Sequence, residues 1–263
     1  MNILSKIVSK RKEETNLQKK IRGLDEIKSS ESFHRQTYSL SKKIKESEIS
    51  IIAEHKRKSP SKKEINFQTP SHKIIKGYEK NGASGISVLT EKNFFSGSEN
   101  DLILARKLTD LPILRKDFIV DEYQVFESKY LGADAILLIA TCLTDIEIIK
   151  LSELAKELDL DVLVEIHSKD ELKKVCIDSV DIIGVNNRNL KDFSVNVKNS
   201  IEIGKEIPES FVKISESGLY KFEELKRLID FGYDGFLIGE LFMREVDPGY
   251  KLGNLINQIK GES

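Results

Sequence analysis

Carboxylates and amines stand at the far ends of five apolar, strand-like runs. Ile51-Ile52-Ala53 runs into Glu54 and Lys56, Pro112-Ile113-Leu114 into Lys116, and Asp161-Val162-Leu163-Val164 into Glu165. Ile182-Ile183-Gly184-Val185 ends at Asn186 and Arg188, and Phe211-Val212-Lys213-Ile214 at Glu216, Ser217 and Gly218. Amines and carboxylates held together can pass protons to and from a substrate, their affinities tuned by burial and by one another. Arginine and asparagine beside them offer donors to an anion or a hydroxyl. A lone lysine or glutamate at a strand end is ordinarily a solvated rim residue. Five such ends make a site only if the fold brings them to one place.

The surrounding pattern supplies such a fold. From Ile49 onward β-type runs alternate with amphipathic helical segments, as in a parallel sheet with right-handed crossovers. Eight strands are expected: Ile49–Lys56, Gly85–Thr90, Pro112–Phe118, Ala135–Ala140, Asp161–His167, Asp181–Asn187, Phe211–Ser215 and Gly235–Gly239. Helices over Ser71–Lys80, Glu122–Leu131 and Phe222–Phe231 each run up to a glycine (Gly82, Gly132, Gly232) placed to end the helix in a left-handed conformation. An open doubly wound sheet is the alternative, but no GxGxxG follows the first strand. The expectation is an α/β fold, a (β/α)8 TIM barrel over residues 49–263, with an N-terminal helical extension over residues 1–48 packed on the barrel as padding outside the core. In such a barrel all strand ends point to one mouth. Side chains alternate along a strand, so Glu54 and Lys56 share a face, His55 takes the other, and Lys116 opposes Asp117.

Composition narrows the partners. The chain has 263 residues, 39% hydrophobic and 32% charged, which suits one large domain. Its 42 basic and 43 acidic residues leave a formal net charge of -1, so no global basic field favours nucleic acid. Cys142 and Cys176 form no CxxC pair, lack the partners of a zinc site, and read as ordinary buried thiols suited to a reducing cytoplasm. Ser5 and Lys6 interrupt the early apolar stretch before signal-peptide length, and nothing later approaches a membrane span. No metal, cofactor, nucleic-acid or membrane partner is called for; the oligomeric state is not legible, and a monomer suffices.

The last two strand ends point to phosphate. Ser215-Glu216-Ser217-Gly218 and Ile238-Gly239-Glu240 lie where barrels often hold a phosphate on backbone N–H groups. The basic, proline-locked segment His55-Lys56-Arg57-Lys58-Ser59-Pro60-Ser61 suits a loop closing over anions, or simply a solvated loop. Phe94 and Phe95 offer an aromatic wall for a planar substrate, or simply pack a loop. His167 shares parity with Glu165, with a structural role expected.

Together these segments carry a resemblance. Ala53-Glu54-His55-Lys56-Arg57-Lys58-Ser59-Pro60-Ser61 resembles the signature of the indole-3-glycerol-phosphate synthase family, the enzymes that close the indole ring in tryptophan biosynthesis. The likeness continues through Ser87–Glu91, Phe94–Ser98, Pro112–Phe118, Val164–His167, Gly184–Leu190, Ser215–Gly218 and Leu237–Glu240. It implies a lyase converting 1-(2-carboxyphenylamino)-1-deoxyribulose 5-phosphate to indole-3-glycerol phosphate, carbon dioxide and water. By the same resemblance Lys116 is the general acid and Glu165 the acid–base partner, Glu54 pairs with Lys56 or Lys116, and Glu54, Lys56, Asn186, Glu216 and Ser217 stand with them as catalytic residues. Lys56 holds the anionic end of the substrate. Asn186, Arg188, Ser59 and Leu190 orient it, and Phe95, Phe118 and Leu137 meet its aromatic ring. Glu216, Ser217, Gly218, Gly239 and Glu240 mark the phosphate loops, where the Glu240 side chain is expected to turn away from a second anion. Leu241 stands where a serine is common in relatives, so a hydroxyl near the phosphate is missing. The residues alone leave open a ketose isomerase, a Schiff-base aldolase or a non-catalytic phosphate-binding barrel.

Overall fold

All eight apolar runs become parallel strands that close on themselves in chain order. The computed structural model describes residues 3–189 and 192–261. The strands are β1 Ser50–His55, β2 Gly85–Leu89, β3 Ile113–Lys116, β4 Ala135–Ile139, β5 Asp161–Ile166, β6 Ile182–Asn186, β7 Val212–Glu216 and β8 Gly235–Ile238. Closure is made by β1 against β8, with Ile52 beside Leu237. Strands covered on both faces must be apolar nearly throughout, and these are. Ile52, Leu114, Leu137, Leu163, Ile214 and Leu237 fill the barrel. Their neighbours Ile51, Ala53, Ile136, Val164, Ile183 and Phe236 meet the outer helices.

The crossovers are α4 Ser71–Lys80, α5 Glu99–Leu108, α6 Glu122–Leu131, α7 Asp145–Glu157, α8 Lys169–Val175, α9 Lys198–Gly204 and α10 Phe222–Asp230, followed by α11 Glu240–Met243 and α12 Pro248–Lys260. Because these numbers follow chain order, the helices before β1 are α1 Ile3–Ile21, α2 Leu24–Ser29 and α3 Leu40–Glu46. The three glycines expected to end helices have positive φ, at +89° for Gly82, +104° for Gly132 and +75° for Gly232. Polar side chains start several helices; Thr144 and Glu147 form a reciprocal capping box at α7.

The N-terminal segment departs from the expectation of padding. Ile7, Leu40 and Ile44 are buried within the cluster that fills the barrel, and Ile3, Leu4 and Val8 pack against it. α3 lies under the strand starts, where Leu40 meets the bare backbone of Gly85, while Ile3, Leu4 and Ile7 of α1 reach the mouth. A barrel has two open ends whose apolar linings need covering. Each fully buried aliphatic side chain there contributes roughly 1.5–3 kcal/mol.

Charged pairs fix these covers. Arg11 of α1 donates to Asp117 at 2.9 Å, and Asp117 also accepts from the fully buried Arg115 at 3.2 Å. Arg115 is balanced in turn by Glu127 at 2.8 Å. At the other end Asp161 accepts from the Ser41 backbone at 2.7 Å and the Ser39 hydroxyl at 3.0 Å. No helix among the described residues is long and apolar enough to cross a membrane.

Candidate active site

Lys116 ends β3 with its side chain inside the barrel. Its Nζ lies 2.8 Å from Glu165 Oε2 and 2.9 Å from Glu216 Oε2. Burial by itself would lower the lysine's proton affinity, but Glu165, Glu216 and Glu54 outweigh it and hold the amine as an ammonium. For Glu165 burial pulls upward, yet Lys116, His167 and the Asn186 amide keep it below the ordinary carboxylate range. Glu216 goes the other way: burial, with Glu165 and Glu54 nearby, pushes it up against the pull of Lys116, and its Oε1 has no hydrogen-bond partner among the described residues. Two carboxylates on one ammonium therefore have different proton affinities, which acid–base work requires. Room for Glu216 comes from β6, where a side chain on Gly184 would overlap its Oε1.

Glu54 and Lys56 form a short ion pair beside this centre. Phe95 and Phe118 face each other with ring centroids 6.1 Å apart and planes tilted by 41°, and Leu137 lines the same cavity. Phe95 is held by Glu91, whose carboxylate accepts the backbone N–H of Asn93, Phe94 and Phe95 at 3.0, 2.7 and 3.0 Å. Beyond β7 the backbone turns left-handed twice, with φ of +66° at Ser217 and +71° at Gly218. The buried Asn187 amide secures that turn through the carbonyls of Glu216 and Ser217, at 3.0 and 3.3 Å. The cavity runs from Lys116 and Glu165 past Arg188 to Ser217, Gly218, Gly239 and Glu240, joining an acid–base centre, an apolar wall and a polar end.

The family model for indole-3-glycerol phosphate synthase matches residues 4–255. The chain is 42% identical over 259 residues to the indole-3-glycerol phosphate synthase of Bacteroides thetaiotaomicron, covering 98% of this chain and 99% of that one. It is 45% identical over 258 residues to the enzyme of that name from Campylobacter jejuni subsp. jejuni serotype O:23/36, covering 97% and 100%. The chain belongs to the indole-3-glycerol phosphate synthase family. Membership brings the family's activity, a decarboxylating lyase step of tryptophan biosynthesis. Among solved structures, 3-hexulose-6-phosphate synthase from Salmonella typhimurium superposes with a TM-score of 0.63 at 13% identity, over 80% of this chain and 100% of that one. That likeness concerns the fold alone.

Within this synthase most of the expected residues converge. Glu54, Lys56, Ser59, Phe95, Lys116, Phe118, Leu137, Glu165, Asn186, Arg188, Glu216, Ser217, Gly218, Gly239 and Glu240 all line the one cavity. Leu190 lies outside the described residues. His55 is buried on the opposite face of β1, and burial lowers it to about 4, so it is a neutral packing residue as strand parity required. Glu54 takes Lys56 as its direct partner, a choice parity left open. Glu216 sends its carboxylate to Lys116, while the loop after it turns toward the polar end.

Glu240 corrects an expectation. Its carboxylate stays on the wall of the mouth, accepting from Tyr220 at 3.1 Å and Lys62 at 3.5 Å, with Arg188 at 3.8 Å and Arg244 also bound. Cations from several elements neutralise it, so it does not need to turn outward. Leu241 lines the cavity. Sequence reasoning missed Lys62, Tyr220 and the α1 residues Ile3, Leu4 and Ile7. Lys62 continues the basic run past Ser61, which was the available signal; α1 showed only that it was amphipathic. Cys142 and Cys176 are free and partly buried, and burial raises both thiols.

Proposed function

We propose that this synthase closes the indole ring with Lys116 as general acid and Glu165 as base. The carboxylate-bearing ring carbon attacks the substrate ketone, and Lys116 protonates the oxygen on which negative charge grows. Carbon dioxide then leaves with its bonding electrons returned to the ring, which restores aromaticity without a base. The new hydroxyl departs as water on a lysine proton, and Glu165 removes the ring-side proton. The 2.8 Å contact between Lys116 and Glu165 supports this division of labour, because the proton gained by one can return to the other.

Phe95, Phe118 and Leu137 would grip the anthranilate ring, and Arg188 with Asn186 and Ser59 its carboxylate and hydroxyls. Lys56, set by Glu54, serves the anionic end. The left-handed turn at Ser217 and Gly218, with Gly239 and the backbone of Glu240 opposite, suits a phosphate taken on backbone N–H groups. We assign residues 1–48 as an extension that completes the catalytic barrel of residues 49–263. The enzyme acts on a phosphorylated small molecule in the cytoplasm, without a cofactor or metal, a nucleic acid or a membrane.

The observation that carries the proposal is Lys116 bridging two carboxylates inside a half-apolar cavity. It is tested by following indole-glycerol-phosphate fluorescence from the anilino substrate. Turnover supports the assignment, and covalent capture by borohydride would favour a Schiff-base aldolase instead.

A further inference from the structure

His167 follows β5 and turns its ring back toward Glu165. Its Nε2 lies 3.5 Å from Glu165 Oε1, the oxygen that Lys116 does not hold. That nitrogen is buried and has no hydrogen-bond partner among the described residues. The other ring nitrogen, Nδ1, lies 3.3 Å from the Thr141 hydroxyl. Thr141 has one proton, and it is spent on Glu171 Oε1 at 2.6 Å. Thr141 can therefore only accept from His167, so the neutral ring carries its hydrogen on Nδ1. Glu171 Oε2, 3.8 Å from Nδ1, favours the same tautomer, and it also accepts the His167 backbone N–H at 2.6 Å. Neutral His167 thus presents a bare lone pair to a carboxylate oxygen, a contact that improves only when one proton enters between them.

We propose that His167 is a positioning residue that forms a proton-sharing pair with Glu165 and accepts a hydrogen bond from that carboxyl once it has taken the substrate's proton. This rests on the proposed role of Glu165 as base. In the step the ring-side C–H bond breaks, its electrons complete the indole double bond, and an O–H forms on Glu165. That O–H donates from Oε1 to Nε2, and rotation of the carboxyl group later carries it to the neutral amine of Lys116, which takes the proton. The pair resolves a conflict, because an ammonium at Lys116 or an imidazolium at His167 holds the carboxylate ionised and so weakens it as a base, whereas the neutral ring accepts from the far oxygen and strengthens it.

Glu171 on α8 is bound by Thr141 and the His167 backbone, and Cys142, following β4, stays a thiol because burial with Glu165 and Glu171 raises it to about 12. Asn199 on α9 donates to the backbone carbonyls of His167 and Asn186, each at 3.3 Å.

The test joins nitrogen-15 NMR of the resting enzyme with steady-state kinetics. The chain has four histidines, so loss of one ring signal in His167→Gln assigns the residue. The expected spectrum shows His167 as the Nδ1–H tautomer at alkaline pH, and an Nε2–H tautomer overturns the pair. The glutamine side chain cannot accept from Glu165 as the imidazole nitrogen does, so kcat should be about 10-fold lower at pH 8 with KM unchanged. An unchanged kcat in that variant contradicts the proposal. Thr141→Val, which removes the acceptor that sets the tautomer, should lower kcat without raising KM; unchanged kcat contradicts the proposal. Glu165→Gln keeps the two readings apart: full turnover in that variant removes Glu165 as base, whereas the nitrogen spectrum tests the His167 geometry independently.

Discussion

Lys116 Nζ and Glu165 Oε2 meet at 2.8 Å although β3 and β5 are separated in the barrel by β4. Each side chain reaches over β4 from its own strand end, on the face that lines the barrel interior. Glu216 reaches the same ammonium from β7, and Glu54 adds its field from β1. A centre built across the barrel is rigid in the way an acid–base pair needs.

Glu216 is the carboxylate with stability to give back. Its burial raises its proton affinity to about 7, so the folded protein holds this proton more tightly than the unfolded chain. Between the ordinary carboxylate range and that value the unfolded chain has already released the proton, and stability falls as pH rises. Glu216→Gln should therefore have a higher Tm than the parent at pH 8, with the gap narrowing toward pH 5, and lower activity. Thermal melts at the two pH values check it; a gap that widens on acidification contradicts the assignment.

Gly218→Val should weaken the phosphate end. At φ +71° the position resists a branched side chain, whose Cβ would also overlap Val195. KM should rise by roughly 10-fold, the cost of about one lost charge-assisted hydrogen bond, and inhibition by inorganic phosphate should weaken with it. Steady-state kinetics with phosphate as inhibitor decide this, since both constants unchanged would place the phosphate elsewhere.

Glu165→Gln should separate the chemistry in time. Ring closure and decarboxylation need the acid, while removal of the ring-side proton needs the base. Rapid-quench single turnovers should accumulate a decarboxylated species that retains its hydroxyl. Accumulation of untouched substrate instead would move Glu165 to the first step.

Arg11 tests the role of the N-terminal helix. Arg11→Met leaves Asp117 with Arg115 as its cation and frees α1, whose Ile3, Leu4 and Ile7 line the cavity. Removing one member of a buried pair costs about 3–5 kcal/mol, moderated here because Arg115 remains. Chemical denaturation should show the loss, with KM raised. An unchanged midpoint and KM would mean that α1 is held by its apolar contacts alone.

Much of this geometry was written in the chain. Period-two alternation put Glu54 inside and His55 outside, and three glycines after helices marked turns that proved left-handed. The charged strand ends were legible because a run such as Asp161-Val162-Leu163-Val164 has no local reason to finish in glutamate. The partner of Glu54 was not, since Lys56 and Lys116 both face inward and only the folded distances separate them. Nor was the orientation of Glu240, which depends on Lys62, Arg188, Tyr220 and Arg244 arriving from separate loops and a helix. Amphipathicity in α1 and α3 showed that each has a face to bury. That they cover opposite ends of the barrel is a property of the closed sheet.

The central claim is that Lys116 is the acid of ring closure. Turnover of Lys116→Ala, followed by product fluorescence on protein whose circular dichroism matches the parent, tests it most directly. A fall of roughly 100-fold or more, as expected for loss of a general acid, is the predicted result. Near-normal turnover by the folded variant would contradict it.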